Sequence, residues 1–343
     1  MTSSTKEDFE CLPGPSDGIT DVAWSPTADY LAVASWDTQV RVYEVNSITR
    51  ATVAKAAVAH EGPVFSVCWS PDGTKLASVG ADKSIRVLDV ASGQTIQQQN
   101  AHDAPIRACK WTLVNNQNSI LVTGGWDKQV KYWMVGPGGL QPMGSLLLPE
   151  RCFAMDCIGS LLVIGTAERH AVIVDLATNP MQPATAPAGT PLKMQTRAIS
   201  CFPDGKGYAV GSVEGRIAVQ NLDPTKQSSN FAFKCHREGT VAYGVNSIKF
   251  HPKFTGTFAS AGSDGVISFW DKESKQRLES FPSPNVPIAA MDFNRDGNLL
   301  AYAISYDWSC GHEQYNPNGK NAVMIHRLHD TEVRPRSSAF RRR

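Results

Sequence analysis

Ile19-Thr-Asp-Val-Ala-Trp-Ser-Pro26, followed by Leu31-Ala-Val33, Trp36-Asp37 and Val40-Arg-Val-Tyr43, is the stretch on which the fold turns. The same order returns as Val64, Val67, Trp69-Ser-Pro71, Leu76-Ala-Ser78, Asp82 and Ile85-Arg-Val-Leu88. It returns again from Ile106 through Cys109, Trp111, Leu121 and Trp126-Asp127 to Trp133. Weaker copies begin at Cys152 and Thr196, a strong one at Val245, and a last one at Ile288. Aligned, the first inward position reads Val22, Val67, Cys109, Met155, Ile199, Ile248 and Met291. Two residues later stand Trp24, Trp69, Trp111, Cys157, Cys201, Phe250 and Phe293. Same-face residues two apart have the period of a strand.

A turn acid recurs at Asp37, Asp82, Asp127, Glu168, Glu214, Asp264 and Asp307, spaced 41 to 50 residues apart. That is close to the ~40–45-residue period of a four-stranded propeller blade. Turn chemistry such as Pro71-Asp-Gly73 and Asp296-Gly-Asn298 separates short strands within each unit. One small sheet cannot bury both faces alone, so the copies stack radially, and seven close a ring. The expectation is an all-β, seven-bladed β-propeller over residues 1–331, with Asp8 to Cys11 supplying the outer strand of the last blade. Residues 332–343 are expected to form a basic, disordered tail that includes Arg334, Arg336 and Arg341 to Arg343.

Composition agrees with this class. Of 343 residues, 42% are apolar and 19% charged, and the net charge is +1, so nucleic acid would need a local basic patch. No apolar run approaches the ~18 residues of a membrane span, and Met1 to Glu10 lacks the order of a signal peptide. Eight scattered cysteines without C-x-x-C spacing point to a reducing compartment, with no metal and no disulfides. No cofactor is expected.

His102, Thr123, Asp127 and Trp133 fall where a hydrogen-bonded support chain can run from turn to strand. The second copy keeps His60, Ser78 and Asp82 but has Leu88 in place of the ring. His102 with Asp127 resembles two thirds of a catalytic triad, yet no nucleophile accompanies it and the pattern recurs by blade, so the role is structural. The inward columns are apolar, and no enzymatic hub is expected.

These columns, with Trp36-Asp37 and Trp126-Asp127, resemble the WD-repeat propeller superfamily over nearly the whole chain. Two unusual segments narrow the resemblance. Phe231-Ala-Phe-Lys-Cys-His-Arg237 is similar to a segment shared by the messenger-RNA export factors of the nuclear pore and their sister, the mitotic checkpoint propellers. Ser305-Tyr-Asp-Trp-Ser-Cys-Gly-His-Glu-Gln-Tyr-Asn-Pro317 resembles the export factors alone, with Cys310 at the position of their lysine. Gly80-Ala-Asp-Lys83 and Phe269-Trp-Asp-Lys272 also fit them.

The resemblance implies a non-enzymatic scaffold that binds the GLEBS motif of a nucleoporin, a short acidic-and-apolar segment, and takes part in mRNA export. It also implies a mitotic spindle role, residence in the nucleus and at the pore with shuttling to the cytoplasm, and a monomer inside heteromeric complexes. The alternative is the sister propeller, binding GLEBS motifs of checkpoint kinases.

The residues just before the turn acids, among them Trp36, Trp126 and Tyr306, would crowd one rim with aromatics. Partner contacts are expected from Trp36, Trp126, Phe233, Lys234, His236, Arg237 and Phe269, and from Tyr306, Asp307, Trp308, His312 and Glu313 of the last copy. The Arg237 guanidinium can grip a carboxylate through two parallel hydrogen bonds. From Asp307 to Val323 the last copy takes 16 residues where the first needs three from Asp37 to Val40, so a loop protrudes there. Single-stranded or polyadenylated RNA would be met by Lys83, Lys128, Lys131 and Lys272 beside the rim aromatics. No membrane insertion is expected.

Overall fold

The computed structural model describes residues 8–186, 188–282 and 284–335. Seven four-stranded antiparallel sheets follow one another, and each of the first six reads inner to outer in chain order. In the first blade the strands are Ile19–Trp24, Tyr30–Ser35, Gln39–Asn46 and Ala51–Ala59. The seventh borrows its outermost strand from the other end of the chain. Phe9 and Glu10 pair with Ile325 and Met324, and the Cys11 N–H donates to the Val323 carbonyl at 2.8 Å. Closing the ring this way removes the open edge that a seventh three-stranded sheet would present.

Seven apolar clusters hold the disc together, one at each blade–blade interface. The inward columns are their centres. Val22 and Trp24 pack against Leu299 and Ala301 of the last blade, for example, and Val67 and Trp69 against Ala32 and Val42 of the first. The alternation seen in sequence therefore marks faces buried between sheets, with the strand edges left to line the axial channel.

The packed body runs past the boundary expected at residue 331. Asp330–Val333 forms a short helix whose Glu332 and Val333 are buried, and the Thr257 hydroxyl donates to the Val333 carbonyl at 2.8 Å. One buried imidazole joins both ends of the chain. His326 Nδ1 lies 2.6 Å from Asp8 and Nε2 lies 3.4 Å from Glu332, while the Tyr302 hydroxyl donates to Asp8 at 2.5 Å. Of the basic tail, Arg334 ion-pairs with Asp330, and residues 336–343 lie outside the described residues. No described helix is long and apolar enough to cross a membrane.

Candidate functional site at the mouth of the channel

All seven innermost strands carry a β-bulge at the same place. The register shifts at Thr20, Phe65, Arg107, Phe153, Arg197, Asn246 and Ala289, one residue per blade. A bulge leaves one residue out of the ladder and re-aims its side chain. Here the re-aimed residues converge on one end of the channel, around a cavity of about 420 Å³. The spacing of the columns in sequence gives no sign of a bulge, which is why Phe65, Arg107, Phe153 and Arg197 escape a sequence reading.

Trp36, Trp126 and Tyr306 line the same mouth from the turns between second and third strands. The rings run on as a chain: Trp126 to Phe65 at 5.7 Å between centroids, Phe65 to Trp36 at 5.9 Å, and Trp36 to Trp308 at 5.3 Å. Trp308 then stacks on Tyr315 at 5.0 Å and 10°, inside the expected loop, and the Tyr315 hydroxyl donates to Asp17 at 2.9 Å. Trp308 is 37% exposed, whereas Trp36 and Trp126 are half-buried against this wall.

The residue after each turn acid has a left-handed backbone: Thr38 at φ 68°, Lys83 at 61°, Lys128 at 62°, Gly215 at 63° and Gly265 at 73°. Trp308 takes this position in the last blade at φ 61°. A bulky side chain there is strained, so its neighbours must hold it.

Polar groups of the mouth are unevenly engaged. Arg197 donates from Nη2 to the Asp307 carbonyl at 2.8 Å and faces its carboxylate at 3.4 Å. Arg107 is half-buried, and among the described residues no carboxylate pairs with it. Trp126 Nε1, Thr196 Oγ1 and Asn246 Oδ1 are buried without a hydrogen-bond partner among those residues. A free guanidinium between aromatic walls, with unmet polar atoms beside it, fits an anionic group carried on an apolar body.

His102, Thr123, Asp127 and Trp133 form one chain. Trp133 Nε1 donates to Thr123 Oγ1 at 2.9 Å, which lies 2.8 Å from His102 Nε2, and His102 Nδ1 lies 2.9 Å from Asp127. The ionised Asp127 can only accept, so Nδ1–H donates to it, and in the neutral ring Nε2 then accepts from the Thr123 hydroxyl. Burial would raise the Asp127 carboxyl, but the His102 bond and the backbone N–H of Asp103 and Gln129 hold it below its ordinary value. Gly125 belongs to this chain, since a Cβ there would stand 2.4 Å from Asp127 Oδ1 and 2.5 Å from His102 Nδ1.

Several sequence expectations are corrected. His236 is buried and belongs to a second such chain, with Nδ1 2.9 Å from Asp264, Nε2 2.8 Å from Ser260, and Trp270 donating to Ser260. It has no free ring nitrogen for a partner. The signal was present in the sequence but lengthened: His236 precedes its serine by 24 residues where His102 precedes Thr123 by 21. The ribbon Arg237–Glu238 and Val241–Ala242 takes up the difference. Phe269 is fully buried between the last two blades. Asp307 is buried as well, accepting from Asn246, Ser263 and the Ser309 N–H.

Arg237 is exposed, but its Nη2 donates to the Glu214 carbonyl at 2.7 Å on the adjoining turn, outside the cavity. Phe233 packs on Trp270 at 4.7 Å in an outer strand, remote from the mouth, with Lys234 exposed beside it. His312 and Glu313 are exposed in the loop.

The four lysines form no common surface. Lys83 and Lys128 follow turn acids on the mouth side, with Lys128 2.5 Å from Glu150, and Lys131 donates to the Ala101 carbonyl at 2.8 Å. Lys272 lies on the opposite rim, paired with Glu273 and over the Phe202 ring at 5.1 Å.

The hub is not devoid of charge either. Residues between the apolar columns face the channel, and its far end, a cavity of about 330 Å³, holds Lys110 3.4 Å from Asp156 and Lys249 3.2 Å from Asp292. Asp156 and Asp292 each accept from an edge N–H of the next blade, Cys201 at 2.7 Å and Trp24 at 2.9 Å. Burial lowers the Lys110 ammonium pKa, but Asp156, Asp21 and Asp292 outweigh it and raise it. These charges are paired across blades and serve closure.

Residues 19–114 match the family described as anaphase-promoting complex subunit 4 WD40 domain, and residues 227–271 match the WD domain, G-beta repeat. The chain is 48% identical over 339 residues to the Poly(A)+ RNA export protein of Schizosaccharomyces pombe, spanning 98% of this chain and 94% of that one. It is 45% identical over 346 residues to the mRNA export factor GLE2 of Chaetomium thermophilum (98% and 95%). It is 40% identical over 348 residues to the protein Rae1 of Drosophila melanogaster (98% of each).

Proposed function

The chain belongs to the mRNA export factor family of WD40 propellers, and on that premise we propose that it is a non-enzymatic scaffold of mRNA export whose channel mouth receives the acidic-and-apolar GLEBS segment of a nucleoporin. The observation that carries this reading is Arg107, a half-buried guanidinium without a carboxylate partner among the described residues, set beside the aromatic chain from Trp126 to Trp308. An acidic side chain of the segment pairs with Arg107 while its apolar residues cover the rings. Trp36, Trp126, Tyr306 and Trp308 are then the contact surface, with His312 and Glu313 on the loop beside it. Arg237, already engaged by the Glu214 carbonyl, holds the ribbon at the edge. The protein acts at the nuclear pore, shuttles to the cytoplasm, and works as a monomer inside heteromeric complexes, with a further role at the spindle.

The division of the lysines between two rims argues that RNA reaches this scaffold chiefly through its protein partners. Retention of polyadenylated RNA by the isolated chain, strongly dependent on salt, would reverse that view.

The test is calorimetric titration of the full chain with a synthetic GLEBS peptide. Arg107→Gln is expected to cost about 3 kcal/mol, a loss of about a hundredfold, because the peptide carboxylate loses a partly desolvated partner. Unchanged affinity would remove Arg107, and with it this reading of the mouth.

A further inference from the structure

Arg197 stands out among the residues aimed at the mouth because it reaches past its neighbour. It rises from the inner strand Thr196–Cys201 of the fifth blade, yet its guanidinium engages Asp307 in the seventh. The interblade pairs of the channel, Lys110–Asp156 and Lys249–Asp292, join adjacent blades. The sixth blade contributes to the same carboxylate. Asn246 Nδ2 donates to Asp307 Oδ2 at 2.7 Å and to the Ile288 carbonyl at 2.9 Å, and the Ser263 hydroxyl donates to Asp307 Oδ2. Asp307 Oδ1 accepts the Ser309 N–H at 3.1 Å, which fixes the turn on either side of Trp308.

Three blades thus converge on one buried carboxylate, and the next residue is the strained, exposed Trp308. We infer that Arg197 is a positioning residue for partner binding: its bridge to Asp307 holds the turn that presents Trp308 and anchors the loop to Gly319. This rests on the mouth being the peptide site. Arg197 itself stays on Asp307 when the peptide is bound, and Arg107 is the cation that meets the peptide. A preorganised ring loses less conformational freedom on binding than a mobile one.

The experiment compares full-length wild type, Arg197→Gln, Arg197→Lys and Arg107→Gln by amide hydrogen exchange without peptide and by titration with the GLEBS peptide. Arg197→Gln is expected to speed exchange of the amides from Trp308 to Gly319 about tenfold and to weaken the peptide about tenfold. Arg107→Gln is expected to weaken the peptide while leaving loop exchange at the wild-type rate. Arg197→Lys keeps the charge without the planar fork and should fall between. It replaces the glutamine variant if that one does not fold.

Loop exchange unchanged in the Arg197 variants overturns the inference, whatever happens to affinity. Weaker binding with an undisturbed loop would instead make Arg197 a direct contact. A wild-type protein that ignores the peptide would sink the reading of the mouth, and the exchange measurement would still decide what Arg197 does.

Discussion

Trp308 offers a test in which two small side chains change places in the usual stability order. Its backbone sits at φ 61°, where a Cβ costs roughly 1–2 kcal/mol. Three ring contacts offset this, with Tyr315 at 5.0 Å, Trp36 at 5.3 Å and Tyr306 at 5.7 Å, each worth about 0.5–1.5 kcal/mol. Trp308→Ala removes all three contacts and keeps the backbone cost, so it should lose about 1.5–4.5 kcal/mol. Trp308→Gly removes the same contacts and the backbone cost with them. It should therefore be more stable than the alanine variant by about 1 kcal/mol, the reverse of the order in an ordinary strand or helix. Urea titrations with equal slopes read the difference from the midpoints. Thr38→Gly, at φ 68° in the equivalent turn, checks the backbone part without any ring. Both Trp308 variants should bind the GLEBS peptide equally poorly, since neither has a ring to offer. Alanine as stable as glycine would mean that the turn is not held left-handed and that Trp308 carries no strain.

Two further outcomes follow from buried groups. Burial lowers the His326 pKa, but the bonds to Asp8 and Glu332 outweigh it and raise the imidazolium to about 9. A pKa raised in the folded state stabilises fully below the unfolded value of 6.5 and is lost as pH climbs through 9, an effect on the order of 3 kcal/mol. Urea midpoints should fall between pH 7 and 9.5 in the wild type, and a His326→Asn variant should lack that slope. Gly125→Ala should cost about 2–3 kcal/mol, since the methyl group would displace the His102–Asp127 pair. Thermal melts check this, and a neutral result would mean that the pair is not fixed in place.

The ring was legible because blade faces are buried on both sides, and burial forces a period of two that survives substitution at any one position. Val67, Cys109 and Met155 differ in type but share a column and a fate. The first support chain was legible for the same reason, as its members stand at fixed strand positions. The mouth was only half legible. Turn residues such as Trp36 and Trp126 follow directly from the acid they precede. Arg107 and Phe65 reach the mouth through a bulge, a backbone event that leaves no mark on polarity. His236 was misread because a short ribbon stretched its spacing, and Phe269 because a motif says which residues recur, without saying which way they face. Asp307 was expected among the partner contacts, yet three blades direct their donors onto it.

The seven bulges have one more consequence. Each blade holds its fold by residues between the sheets and gives the opening a single side chain that the ladder does not use. Arg107, Phe153 and Ala289 can thus be rewritten with little disturbance of the packing beneath, whereas Thr20 donates to the Ala34 and Val64 carbonyls, Phe65 packs between Trp36 and Trp126, and Arg197 and Asn246 hold Asp307. A lineage of such discs is free to change what it grips while inheriting the same body, and these three letters are where divergence between relatives in choice of ligand should be sought first.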